Sequence, residues 1–240
     1  MRVCIVTPMY NEEAIARESV ETILLYTKVL PPVVTLLIVN DGSKDRTELI
    51  IRDITKGLND TEFILISHAA KQGYGAAIRT GIKFAIEHCY DYVLFMDSDL
   101  TNHPKYIKDF YNKMLEGWDY IKATRYSKGG EAVGVPRKYR LISIVGNAIA
   151  RNLYGLPLTD ITNGFRAVKV DILKRMELRE NGFAIIMEEL CRAKRLTRSF
   201  TELPYTLTSR KEGHGTTRFP YTPRTCMQYL RYAIKSRIKS

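Results

Sequence analysis

The sequence predicts an α/β fold, a mostly parallel sheet with helices on both faces. Three observations carry that expectation. Short apolar runs recur at residues 2–7, 35–39, 63–67, 92–96 and 120–124, and runs of this length bounded by turn residues read as buried strands. Segments with apolar residues at helical spacing alternate with them, the pattern of successive β-α units on a parallel sheet. Polar and acidic residues collect just beyond the strands, at Tyr10-Asn11-Glu12, Asn40-Asp41 and Asp97-Ser98-Asp99, the edge where open sheets of this kind take ligands.

Length and composition support one large domain, or one and a half. The 240 residues, 45% of them hydrophobic, are ample for a sizeable core. The N-terminus enters the first strand directly, which predicts no signal peptide, and no apolar run approaches the ~20 residues of a membrane span. Cys4, Cys89, Cys191 and Cys226 are scattered with no CxxC pair. That predicts packed, reduced thiols in a cytosolic chain over a disulfide framework or a zinc site. The formal charge of +11 predicts attraction to polyanions and leaves nucleic acid, anionic lipid and phosphorylated substrates open.

In order, the strand at 2–7 is followed by a turn at 8–12 and a helix from Glu13 to about Leu30, with Ile15, Val20, Ile23 and Leu24 on one side and Pro31-Pro32 as its stop. The strand at 35–39 closes on Asn40-Asp41-Gly42-Ser43. A helix at about 45–57, opened by Ser43 or Lys44, leads to the strand at 63–67. Lys71-Gln72-Gly73-Tyr74-Gly75 is a glycine-bearing loop running into a helix at 76–89. The fourth strand ends in Asp97 and Asp99. His103-Pro104 opens a helix to about Gly117, and the strand at 120–124 follows. Beyond Arg125 the character changes: a loose loop at 127–131, a helix at 139–154, a polar turn-like stretch at 160–166, a helix at 182–196, a strand at 200–207, and a basic loop at 209–218 with Gly213 and Gly215. Thr222-Pro223 opens a final basic helix in which Met227, Leu230, Ile234 and Ile238 recur at helical spacing. Such a helix lies in a membrane interface, or packs on its own domain or a second copy. The organisation is thus a domain over 1–221 and a basic amphipathic helix over 222–240. The four histidines are dispersed, and only His214, in the basic loop, sits near other candidate groups.

The acidic pair carries the chemistry. In an extended segment Asp97 and Asp99 point the same way, and two hard oxygen donors at that spacing suit Mg²⁺ or Mn²⁺ with substrate phosphates completing the shell. Taken alone, the same residues equally make a solvated turn. Asn40 to Ser43 equally reads as a turn with a helix cap, and Glu12 as a first-turn acid. Their convergence on one sheet edge favours a ligand site, where carboxylates accept hydrogen bonds from a nucleobase or ribose.

Pro8-Met9-Tyr10-Asn11-Glu12, Val39-Asn40-Asp41-Gly42-Ser43, Asp97-Ser98-Asp99, Arg125-Tyr126 with Gly129-Gly130, Asn163-Gly164-Phe165-Arg166, and the late Arg210 with Gly213 and Gly215 occur in that order. Together they resemble family-2 glycosyltransferases of the GT-A fold, whose sheet is Rossmann-like, and within them the polyprenyl-phosphate sugar transferases. The resemblance spans nearly the whole chain. It implies a donor site of Pro8, Tyr10, Glu12, Val39, Asp41, Asp97, Ser98, Asp99, Arg210 and Arg218. It implies a metal, Mg²⁺ or Mn²⁺, on Asp97 and Asp99 with Thr101 in the place where the branch often has glutamine. Asp99, Arg125 and Arg210 would serve the transfer itself. An acceptor phosphate would meet Arg125, Arg137, Tyr139 and Arg140, Tyr139 standing where an arginine is usual. Glu188 or Glu189 would lie near the sugar. A lysine common near Ala184 is absent.

The expected reaction is inverting, metal-dependent transfer of a sugar from GDP-mannose or a UDP-hexose to a polyprenyl phosphate of the dolichyl type. The leaving diphosphate needs cations already in place, and a phosphate acceptor is already an anion, so little general base is required. The chain is expected to sit peripherally on the cytosolic face of an anionic membrane. A saccharide or protein acceptor is the alternative and would require a general base that the sequence does not name. Nucleic-acid binding, suggested by the charge alone, is not expected, because no recognised binding motif is present and acidic groups gather at the sheet edge.

Overall fold

The computed structural model describes residues 1–31, 33–209, 219 and 222–238. In chain order it comprises β1 (Val3–Met9), α1 (Glu13–Thr27), β2 (Val34–Asn40), α2 (Thr47–Ile54), β3 (Phe63–Ser67), α3 (Tyr74–Glu87) and β4 (Tyr92–Phe95). After a 3-10 turn at Pro104–Tyr106 come α4 (Ile107–Leu115), β5 (Tyr120–Thr124), β6 (Glu131–Ala132), α5 (Arg137–Tyr154), β7 (Arg166–Lys169) and the single-turn α6 (Val170–Leu173). The chain closes with α7 (Ile185–Leu196), β8 (Phe200–Pro204), β9 (Thr206–Leu207) and α8 (Pro223–Ile238).

The main sheet has the order β3-β2-β1-β4-β7-β5-β8. All its pairings are parallel except those of β7, which runs antiparallel between β4 and β5. Alternation along each strand feeds two cores. Val3, Ile5 and Met9 of β1, with Tyr92 and Leu94 of β4, pack under α1, α2 and α4. Cys4, Val6, Val93 and Phe95 face the other way and meet α3, α5, α7 and α8.

β1 runs two residues further than the sequence suggests, through Pro8 and Met9, which pair with Val39 and Asn40. Proline is tolerated there because the ladder to β4 has already ended at Val6 and Phe95, so its missing N–H breaks no bond on that side. α1 ends earlier than expected, at Thr27. α2 starts at Thr47, with Arg46 at its cap position and Asp45 accepting from both the backbone N–H and the hydroxyl of Thr47, later than the opening at Ser43 or Lys44 that the sequence suggests. α5 stops at Gly155, whose φ of 58° is left-handed and whose N–H bonds to Arg151 O.

The larger departures lie in the second half. The stretch expected to be a turn at 160–166 leads into β7, a four-residue strand with a charged residue at each end. Arg166 is fully buried there because both oxygens of Glu189 pair with it. The expected strand at 200–207 splits at Tyr205. Its first part extends the main sheet beside β5, and β9 instead pairs with β6 out of the loop after Arg125. α8 packs on α5 and α7 through Tyr229, Tyr232 and Ala233, which join the core. Met227, Leu230, Ile234 and Ile238, the expected apolar stripe, point to the outside, and Leu141, Ile142, Val145 and Ile149 of α5 are exposed as well. Among the described residues no helix is long and apolar enough to cross a membrane.

Candidate active site

All seven strands of the main sheet present an end at one edge. β1, β2, β3, β4, β5 and β8 finish there, and β7 begins there, because its antiparallel course places Arg166 opposite Phe95, the last residue of β4. A cavity of ≈ 1060 Å³ opens at this edge. Its polar end is walled by Pro8, Tyr10, Glu12, Asp41, Asp97, Ser98 and Asp99, and its apolar end by residues of α5, Phe183, Ile186, Phe219 and residues of α8.

Asp97 and Asp99 lie just beyond β4, as the sequence suggests, with Asp99 in a turn rather than an extended segment, and both face the cavity. Asp97 accepts from Tyr74 Oη at 3.4 Å and from Asn102 Nδ2 at 3.2 Å. Asp99 accepts the Thr101 N–H at 3.1 Å and the Thr101 hydroxyl at 2.7 Å. Thr101 therefore orients the Asp99 carboxylate. Asn102 Oδ1 is buried with no hydrogen-bond partner among the described residues, directly beside Asp97. A buried orphan oxygen is unusual and fits a cation or a polar ligand there. Among the described residues no three His, Cys, Asp or Glu side chains gather as a metal site. The set fits Mg²⁺ or Mn²⁺ held by one or two carboxylates with substrate phosphates completing the shell.

Gly164 lies beside Asp97. A Cβ there would stand 3.5 Å from Tyr74 Oη and 3.7 Å from Asp97 Oδ2. Two buried cations hold its turn from beneath, Lys122 Nζ on Asn163 O at 2.6 Å and Arg166 Nη1 on Gly164 O at 2.7 Å. Burial, with Arg166 nearby, pushes the Lys122 ammonium down to about 7. Burial opposes the Arg166 charge too, but Glu189 outweighs it and the guanidinium is held fully protonated.

Arg125 lines the cavity with its Nε and Nη2 engaged by the buried Asp160, at 2.7 and 2.9 Å. Burial disfavours its charge, Asp160 more than compensates, and its pKa is raised. Arg140 and Tyr139, in the first turn of α5, also stand in the wall, whereas Arg137 is exposed and outside it. Val39 is fully buried in the core and does not reach the cavity. Glu188 and Glu189 correct the expectation of a place beside the sugar. Glu188 accepts the N–H groups of Arg179 and Glu180, and Glu189 is sealed against Arg166. Arg210 and Arg218, with Lys211, Gly213, His214 and Gly215, lie outside the described residues.

The structure adds residues the sequence did not single out. Lys71 Nζ sits 4.0 Å from the centroid of the Tyr10 ring, a cation–π contact at the cavity wall. Tyr74 stacks on Phe183 at 4.7 Å. His68, dispersed in sequence, bonds Asp41. The only sequence signal for Lys71 and Tyr74 was the glycine-bearing loop that contains them.

Residues 4–176 match the model of the family described as Glycosyl transferase family 2. The undecaprenyl-phosphate mannosyltransferase of Micrococcus luteus is 29% identical over 218 residues, 90% of this chain and 87% of that protein. The polyprenol monophosphomannose synthase of Mycolicibacterium smegmatis is 28% identical over 216 residues, 88% of this chain and 79% of that one. Glucosyl-3-phosphoglycerate synthase of Mycobacterium tuberculosis, solved with Mn²⁺, UDP and glucosyl-3-phosphoglycerate, superposes with a TM-score of 0.69 at 18% identity, covering 98% of this chain and 80% of that one. The same enzyme has also been solved with Mg²⁺ and UDP. The sheet-edge aspartates, the parallel sheet and the match over residues 4–176 agree, and the chain belongs to glycosyl transferase family 2, as a glycosyltransferase of the GT-A fold.

Proposed function

We propose that this glycosyltransferase moves a hexose from a nucleotide sugar to the phosphate of a polyprenyl lipid, with inversion, at a membrane surface. One observation carries the reading: a single cavity joins the Asp97/Asp99 edge to an apolar crevice between α5 and α8. The polar end suits a nucleotide diphosphate and the crevice suits a hydrocarbon chain. Two relatives named for polyprenyl-phosphate mannose transfer support the acceptor and make GDP-mannose the first donor to test.

In this reading Asp97 and Asp99 hold Mg²⁺ or Mn²⁺ together with the donor diphosphate. The metal supplies positive charge for the leaving diphosphate. Tyr10, Glu12 and Asp41 receive the nucleoside, and Tyr74, Asn102 and Thr101 orient the aspartates. Arg125 and Arg140, with Arg210 and Arg218 from the late loop, offset the phosphate charge of donor and acceptor. The acceptor phosphate is the nucleophile and already anionic, so no side chain has to remove a proton. The exposed apolar faces of α5 and α8, flanked by Arg137, Lys138, Arg224 and Arg231, rest on an anionic bilayer on the cytosolic side.

The test is a screen of purified protein with Mn²⁺ or Mg²⁺, GDP-mannose and several UDP-hexoses, with a short polyprenyl phosphate, reading nucleoside diphosphate release and the glycolipid formed. Release that depends on polyprenyl phosphate is expected. Release that depends on a neutral saccharide or a protein instead would overturn the acceptor assignment.

A further inference from the structure

Asp41 lines the nucleotide end of the cavity, yet much of its bonding capacity faces away from it. Its Oδ1 accepts the Gln72 N–H at 2.9 Å and its Oδ2 the Gly73 N–H at 2.8 Å. Its side-chain partner among the described residues is His68, whose Nδ1 lies 2.8 Å from Oδ1. The two side chains are 4% and 8% exposed. The far nitrogen of His68, Nε2, is 2.9 Å from the Thr80 hydroxyl on α3. The ring thus bridges the Asp41 carboxylate and the Thr80 hydroxyl, its donor and acceptor roles set by its tautomer. His68 itself is not in the cavity wall.

These bonds hold an arch at 69–73 between β3 and α3. One foot is the His68 N–H on Asn40 O. The middle lies flat on Gly42, where a Cβ would come within 2.4 Å of the Ala70 carbonyl carbon and 2.6 Å of Lys71 N. The other foot is the pair of N–H bonds to Asp41. The arch carries Lys71, whose ammonium caps the Tyr10 ring. The position of that wall thus depends on Asp41, and the setting of Asp41 depends on His68.

We infer that His68 is a positioning residue of the donor subsite: through Asp41 it fixes the arch and the Lys71–Tyr10 wall against which the nucleoside rests. The inference rests on the reading of this end as the nucleotide site. It assigns a role in nucleotide affinity to a residue that touches no substrate.

The experiment is calorimetric titration of GDP and of UDP, with Mn²⁺, into the wild-type chain, His68→Leu and His68→Asn, with steady-state kinetics beside it. Asparagine keeps an amide N–H near the place of Nδ1. His68→Leu is expected to weaken nucleotide binding about tenfold, as for a lost hydrogen bond to a charged group. Donor KM should rise in step, with kcat at saturating donor within about twofold of wild type, since the loss is in binding and not in the transfer step. His68→Asn should recover most of the affinity. Should His68→Leu fail to fold, Thr80→Val, which frees the ring's outer nitrogen, is expected to weaken binding about threefold. Unchanged nucleotide affinity in His68→Leu, or in Thr80→Val where that variant stands in, overturns the inference while leaving the nucleotide site in place. So does a His68→Asn variant as weak as His68→Leu. A wild-type chain that binds neither nucleotide removes the donor-site reading, and this inference with it.

Discussion

Glu189→Gln is expected to be among the most destabilising single changes of a side chain that never meets substrate. Glu189 and Arg166 are both fully buried, with Oε1 on Nε at 2.6 Å and Oε2 on Nη2 at 2.5 Å. The hydroxyl of Tyr120 adds a bond to Oε1 at 2.8 Å, and the guanidinium carbon stands 4.2 Å over the centroid of the Phe95 ring. The amide keeps the shape and removes the charge, leaving Arg166 charged and uncompensated in the interior. Breaking a buried pair in this way costs about 3–5 kcal/mol. For a chain of this size that lowers Tm by about 6–20 °C. Differential scanning calorimetry of the wild type, Glu189→Gln and the double variant Arg166→Met/Glu189→Met reads it. The double variant should be the more stable of the two, since apolar side chains of similar volume replace a buried pair at little net cost. It should nevertheless lose activity, because Arg166 no longer holds Gly164 O beside Asp97. A Glu189→Gln Tm within about 2 °C of wild type, or a fully active double variant, would refute the reasoning.

Three further outcomes are expected. Asp99→Ala should abolish turnover and metal-dependent nucleotide binding by calorimetry while the chain still folds, because its carboxylate lines the cavity and accepts from the neighbouring Thr101 within a local turn; an active variant would count against the pair as the metal site. Lys122 is depressed to about 7 from 10.5 by burial, so the unfolded chain binds the extra proton between those values and stability rises with pH across that window, with no further contribution from this residue below it. The Tm of wild type relative to Lys122→Met should therefore climb from pH 7 towards pH 10, and parallel curves would argue that Lys122 is not buried as described. Val145→Asp with Leu230→Asp should reduce sedimentation with anionic liposomes while leaving nucleotide binding intact, and binding that resists both changes would place the membrane contact elsewhere.

The sequence by itself determined the sheet and the edge at which the cavity lies. Apolar runs with β-branched residues form strands wherever both faces are covered, and the residues after those strands fall at one edge by topology alone, so Asp41, Asp97 and Asp99 were legible from pattern. Its periodicity also located α5, α7 and α8 to within a few residues. What it did not contain was any pairing between distant residues. β7 is four residues long, with arginine and lysine at its ends, and its Arg166 is buried in the sheet against Glu189, on a helix that comes later in the chain. The same pairing keeps Glu189 out of the cavity wall, and Arg166 also holds Gly164 O beside Asp97. The resemblance offered Thr101 as a metal contact, and only the folded turn shows its hydroxyl donating to Asp99. On α8 the 3.6-residue period gave an apolar stripe without saying which face the domain would take. Tertiary packing decided that, because the tyrosines at 229 and 232 offer large apolar bodies with hydroxyls that reach Phe183 O and Glu180, and they fill the core while the aliphatic stripe stays outside.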